Sequence, residues 1–146
     1  MRKIVSKVRA ITKFLKNSTK GHEFFEAEQA AADCQKVLRV PLDVRTRWNS
    51  TYRMLERALE LMVPINTFMC FYKSPNGKRQ FAALKSKLTA IEEREWAILW
   101  GICHLLGKFD SATKLLSAEQ QPSFLYALPV LRDIKRRIED ESLFSF

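Results

Sequence analysis

The chain has 146 residues, 47% hydrophobic and 28% charged, with only four glycines and five prolines. That length supports one domain burying roughly 70% of its extended surface, and the composition excludes a disordered, collagenous or low-complexity chain. Twenty-five Lys and Arg against 16 Asp and Glu give a net charge of +9, which favours anionic partners. No apolar run approaches the roughly 20 residues of a membrane span, and Met1-Arg2-Lys3 opens no signal-type apolar block. The expectation is a soluble intracellular chain without a membrane partner.

Residues 2 to 18 place Ile4, Val8, Ile11 and Leu15 at helical spacing, with Phe14 widening the stripe, and so predict an amphipathic helix. Its other face is basic: Arg2, Lys3, Lys7, Arg9, Lys13, Lys16 and Lys20 meet no acidic residue before Glu23. Such a face is either a phosphate-contacting surface or a solvated helix flank. Asn17 to Gly21 breaks this helix, and Glu23 to Lys36, rich in Ala, Glu and Gln, predicts a second. After Pro41 the period changes. Leu42, Val44, Thr46 and Trp48 fall on one side, Asp43, Arg45 and Arg47 on the other, which predicts a short strand. A lone strand needs neighbours for its backbone groups, and no second strand is evident, so the pattern points to an incomplete sheet.

Asn49 or Ser50 is the expected N-cap of a long helix bearing Tyr52, Leu55, Leu59 and Met62 on one face, interrupted at Pro64 and continued by Ile65, Phe68, Met69 and Tyr72. Ser74 to Gly77 reads as a turn, and Phe81, Leu84, Leu88 and Ile91 as a further helix. Thr89 and Glu92 have capping-box spacing ahead of a helix through Trp96, Leu99, Trp100, Cys103 and Leu106 to Phe109. That helix is apolar nearly all round and is expected at the centre of the fold. Pro122 suits the first turn of a last helix carrying Leu125, Leu128, Leu131, Ile134 and Ile138, with Pro129 inside it.

The inventory of chemistry is short. Cys34, Cys70 and Cys103 are odd in number and far apart, which suggests neither a disulfide framework nor a metal knuckle, and His22 and His104 add little. No phosphate-cradling glycine loop and no nucleophile elbow occurs. Pairs such as Glu92-Glu93 diverge on a helix surface and do not suggest a shared metal. No cofactor is expected for this chain.

The most distinctive string is Asp43-Val-Arg-Thr-Arg-Trp-Asn-Ser-Thr-Tyr-Arg-Met-Leu-Glu-Arg57. It resembles the RW-containing segment of hAT-family transposases, including their BED-zinc-finger-type members. Glu95-Trp96, Leu105 to Ser117, Pro122 and Leu128-Pro129 look like the helical insertion of the same family, so the resemblance covers most of residues 2 to 140. It implies residues 1–48 as the C-terminal part of an RNase H-like core, ending in the strand, and 49–146 as the helical insertion region. The fold class expected is therefore mostly α, with one short β-strand.

The resemblance further implies a nuclear protein derived from an enzyme that cuts and joins DNA with three carboxylates and two divalent ions such as Mg, and that acts as a homo-oligomer. The matching pattern puts two aspartates before this sequence and the glutamate after Phe146, and the zinc finger and dimerisation region are also missing. Asp43 matches none of the three, and no residue here is assigned as catalytic. Arg47 and Trp48 match the family's RW pair beside the active site: a guanidinium can clamp phosphate and an indole can stack on an unpaired base. Arg45, on the Arg47 side, is the next candidate DNA contact. The competing expectation makes Trp48 a core anchor and pairs Arg47 with Asp43 or Glu56. Two functions follow: a truncated, inactive transposase fragment with residual DNA binding, or a stand-alone helical protein-interaction module.

Overall fold

In a computed structural model describing residues 2–31, 37–44, 47–82, 87–116 and 123–139, the apolar stripe of the first helix sets the packing of everything after it. Helix α1 (Arg2–Asn17) buries Ile4, Val8, Ile11, Phe14 and Leu15, the side expected from their spacing. Helix α2 (Thr19–Ala31) follows after Ser18 alone, so the break expected over Asn17 to Gly21 is a single residue. Ser18 Oγ accepts from the Gly21 N–H at 3.1 Å and so caps α2. A Cβ on Gly21 would stand 3.1 Å from Phe14 Cε1, so the bare glycine lets the first turn of α2 sit against that ring.

Helices α3 (Trp48–Glu60) and α4 (Met62–Lys73) are separated by Leu61. Pro64, third in α4, cannot donate to the Glu60 carbonyl and its ring would crowd it, which ends α3 there. The expected turn at Ser74 is instead the start of helix α5 (Pro75–Gln80). Ser74 Oγ accepts from the Gly77 N–H at 3.1 Å, and Pro75 occupies the first helical position, where a missing N–H costs nothing.

The helix expected over Phe81 to Ile91 is not formed in its described parts, 81–82 and 87–91. Phe81 and Ile91 are buried all the same, and the Ala90 carbonyl accepts from Lys7 Nζ at 3.3 Å, a tertiary bond in place of an intrahelical one. Helix α6 (Glu93–Leu116) starts three residues later than the Thr89-Glu92 pair suggests. Glu95 Oε2 accepts from the Glu92 N–H at 2.9 Å, half of a capping box, and Lys7 holds that carboxylate at 2.7 Å. Helix α7 (Ser123–Ile138) runs through Pro129 and packs on α6.

The core is one cluster in which Val8 and Ile11 of α1, Met54 and Leu55 of α3, Phe68 of α4 and Leu99 of α6 are all but inaccessible. It draws on residues both before and after position 48. Phe14, Phe68, Tyr72 and Phe81 form its aromatic centre, with Phe14 and Phe81 edge-on at 5.3 Å. Such pairs contribute about 0.5–1.5 kcal/mol each beyond area burial. Helix α6 is less central than its composition suggests. It meets α1, α3 and α7 but leaves Trp100 54% exposed, stacked on His104.

The expected mostly α class holds, and the expected strand is not formed in its described parts, 42–44 and 47–48, with 45 and 46 outside the described residues: those described contain seven helices and no strand. Val37 to Val44 form a connection, and Trp48 already belongs to α3. The sides are also reversed. Leu42 and Val44 are 36% and 51% exposed, while Asp43, placed on the outer side by the alternation, is buried. The cause is side-chain chemistry in place of sheet pairing. Gln29, itself fully buried, donates to the Leu38 carbonyl at 3.0 Å and accepts from the Leu38 N–H at 2.8 Å, as a neighbouring strand would. Asp43 is drawn inward by partners on α1 and α3.

Candidate nucleic-acid interface

Those partners build the corner where the connection enters α3. Arg9 Nε donates to Asp43 Oδ1 at 2.7 Å, and its Nη2 donates to Oδ2 in a second, parallel bond. Thr51 Oγ1 donates to Oδ2 at 3.0 Å. The Asp43 side chain has no exposed surface, so its charge is tolerable only because a two-pronged guanidinium and a hydroxyl replace water. The Arg9 hydrogen bonds hold the carboxyl below its usual range against the opposing effect of burial, with Thr51 assisting. The same bonds raise the Arg9 pKa.

Ser50 makes the second fastening. Its Oγ accepts from the Val44 N–H at 2.8 Å and donates toward the Arg47 carbonyl at 2.7 Å. The expected N-cap at Asn49 or Ser50 is thus corrected: α3 begins at Trp48, Arg47 stands at the cap position with extended backbone (φ −124°, ψ 102°), and its side chain makes no capping bond. Ser50 is in the first turn, clamping the incoming chain.

This places the sequence candidates. Arg47 and Trp48 sit side by side at the start of α3, both exposed; Arg45 lies outside the described residues. Trp48 is 40% exposed and rests edge-on against Phe109 of α6, with ring centroids 6.4 Å apart. It does not plug the core, which closes without it. Arg47 has no carboxylate partner among the described residues, and both carboxylates considered for it have other partners. Asp43 is held by Arg9, and Glu56 accepts from the Tyr52 hydroxyl at 2.7 Å. That bond is the main reason the Tyr52 hydroxyl is pushed up to about 12.

The basic face of α1 divides in two. Lys7 and Arg9 tie α1 to Glu95 and Asp43. Arg2, Lys3, Lys13 and Lys16, and Lys20 in the first turn of α2, are exposed without a carboxylate partner among the described residues. Sequence reasoning missed the Arg9–Asp43–Thr51 cluster and the Phe109 seat under Trp48. No local signal joins residues so distant in the chain, although an aspartate beside a run of apolar residues was a hint.

A two-metal centre does not fit the residues described here. Asp43 has its oxygens occupied by Arg9 and Thr51, and Asp110 pairs with Lys114 at 2.6 Å. Among the described residues no three His, Cys, Asp or Glu side chains gather to hold an ion. No described helix is long and apolar enough to cross a membrane.

Compared with known protein families, residues 1–104 match the family described as the ZBED1 RNase-like helical domain. The chain belongs to that family. This hAT-related helical domain accounts for α1 to α5 and the first half of α6, and includes Arg9, Asp43, Arg47, Trp48 and Thr51 of the corner, while Phe109 lies beyond the match. No curated protein and no solved structure matches the chain.

Proposed function

We propose that this ZBED1-type helical domain is a catalytically inactive, transposase-derived DNA-binding fragment that works in the nucleus and contacts DNA through the corner at the start of α3. Arg47 clamps a phosphate with its fork of N–H donors, Trp48 stacks on an unpaired base, and Arg45 adds a neighbouring phosphate contact. One observation carries this reading: Arg47 and Trp48 remain exposed on a corner whose own carboxylates are bound by other side chains. An exposed arginine without a carboxylate partner among the described residues and a tryptophan still 40% exposed on its Phe109 seat suit an external anionic, aromatic partner. The unpaired cations of α1 would add sequence-independent attraction.

The test is fluorescence anisotropy with a labelled DNA hairpin carrying a single-stranded tail. Arg47→Ala and Trp48→Ala should each weaken binding by about ten-fold, consistent with roughly 1–3 kcal/mol for a stacked base. Unchanged binding in both variants would remove the corner from the interface. Incubation with Mg should leave the hairpin uncut, and reproducible nicking lost in the Arg47 or Trp48 variant would overturn the inactive assignment.

A second reading, a helical protein-interaction module, is favoured by the Gln29 and Asp43 fastenings, which let the connection do without a sheet. The two readings separate in the same assay, since the module binds no hairpin.

A further inference from the structure

Between α1, α2 and the Val37 to Val44 connection lies a cleft of about 300 Å³, apart from the Arg47–Trp48 corner. Leu15, Phe25, Val40, Pro41 and Leu42 form its walls, and Lys16, His22 and Arg39 its rim. The rim is biased toward positive charge. Glu26 lies beside it, 3.0 Å from His22 and 3.3 Å from Arg39, whereas Lys16 has no carboxylate partner among the described residues. Lys13 and Lys20, flanking the cleft in sequence, are likewise exposed and unpaired among the described residues.

The lining narrows the ligand class. Its walls are mainly aliphatic, and the Thr12 hydroxyl within them donates to the Val8 carbonyl at 2.9 Å, so no wall side chain offers a free donor to read the edge of a nucleobase. A branched or phenyl side chain suits such a pocket, whose size is at the low end for ligand sites. With His22 and Arg39 already sharing Glu26, a chain bearing several carboxylates would answer Lys16 and the exposed Lys13 and Lys20 near it in sequence, and would compete with Glu26 for Arg39.

We propose that this cleft docks an acidic peptide segment of a partner protein, with a Leu or Phe side chain entering between Leu15 and Leu42 and flanking carboxylates pairing with Lys16 and Arg39. The inference goes beyond the DNA reading and stands without it.

The probe is a fluorescein-labelled blocked peptide with one central Leu and two Asp or Glu on each side, titrated with the full chain. The wild-type chain should bind it, and replacing the peptide's Leu by Ser should weaken binding about ten-fold. The exposed pair Lys16→Glu with Arg39→Glu should weaken it by at least as much with an unchanged thermal melt, and Leu42→Ser should do so without altering charge. Failure of the wild-type chain to bind the peptide overturns the proposal, as does equal binding of the Ser peptide. Displacement of the peptide by an equal concentration of a ten-nucleotide oligothymidylate would assign the rim to nucleic acid and overturn it too.

Discussion

Arg9 of α1 and Asp43 of the connection, 34 positions apart, are joined by two parallel hydrogen bonds, with the carboxylate wholly inside the protein. The pair fixes the chain immediately before the RW corner against the first helix, and Thr51 fixes it against the third. A wide loop is thereby closed at the point where Arg47 and Trp48 must be aimed.

Removing one member leaves the other without its partner in a largely dry site. Arg9→Met should therefore destabilise the fold by about 2–4 kcal/mol in urea unfolding, more than an exposed pair could account for. Asp43→Asn should cost less, because the amide can still accept from Thr51. A loss under about 0.5 kcal/mol for Arg9→Met would show that the corner is not held this way.

Acid should act through the same carboxylate. Asp43 and Glu95 are both held below their ordinary values of 3.8 and 4.5, chiefly by the side chains of Arg9 and Lys7. A depressed folded pKa gives stability that is present above the unfolded value and is lost as the pH falls through the folded one. Unfolding free energy should thus stay level between about pH 7 and pH 5, then decline as the pH drops below the ordinary values. In Asp43→Asn the decline should be shallower; an identical acid limb would contradict the assignment.

Gly77 is required by space. A Cβ there would lie 2.0 Å from the Phe71 carbonyl oxygen, backbone that cannot step aside without opening the end of α4. Gly77→Ala should cost about 1–3 kcal/mol despite the better helix propensity of alanine, read as a lower urea midpoint. Stabilisation would mean that α5 does not pack as described.

The two described thiols should separate by reactivity. Cys103 is buried, and burial above all, with Glu56 nearby, pushes its pKa up to about 12, while Cys70 is exposed. In a Cys34→Ser background, Ellman's reagent at pH 8 should label Cys70 in the native protein and Cys103 only after denaturation. Rapid labelling that survives Cys70→Ser would place Cys103 at the surface.

The helical character was legible because Ile4, Val8, Ile11 and Leu15, like Trp96, Leu99 and Cys103, lie on faces that helices bury. Pro64 and Ser74 were recognisable as interruptions, though Ser74 proved to open a helix and not only a turn. The stretch around Asp43 was misread because a period of two marks extended backbone without saying what satisfies it. Gln29, Arg9 and Ser50 do so here, and their distance in sequence left no local trace. Arg47 and Trp48 were identifiable by their motif, but their exposure depended on which carboxylates found other partners.

The most direct test of the DNA-binding account is the salt dependence of hairpin affinity for the wild-type chain and for Arg47→Lys and Trp48→Ala. Log K should fall steeply and linearly with log salt in all three. Trp48→Ala should have the wild-type slope at lower affinity, and Arg47→Lys should bind more weakly because a lysine keeps the charge but loses the fork. A salt-independent affinity, or three superimposable lines, would contradict it.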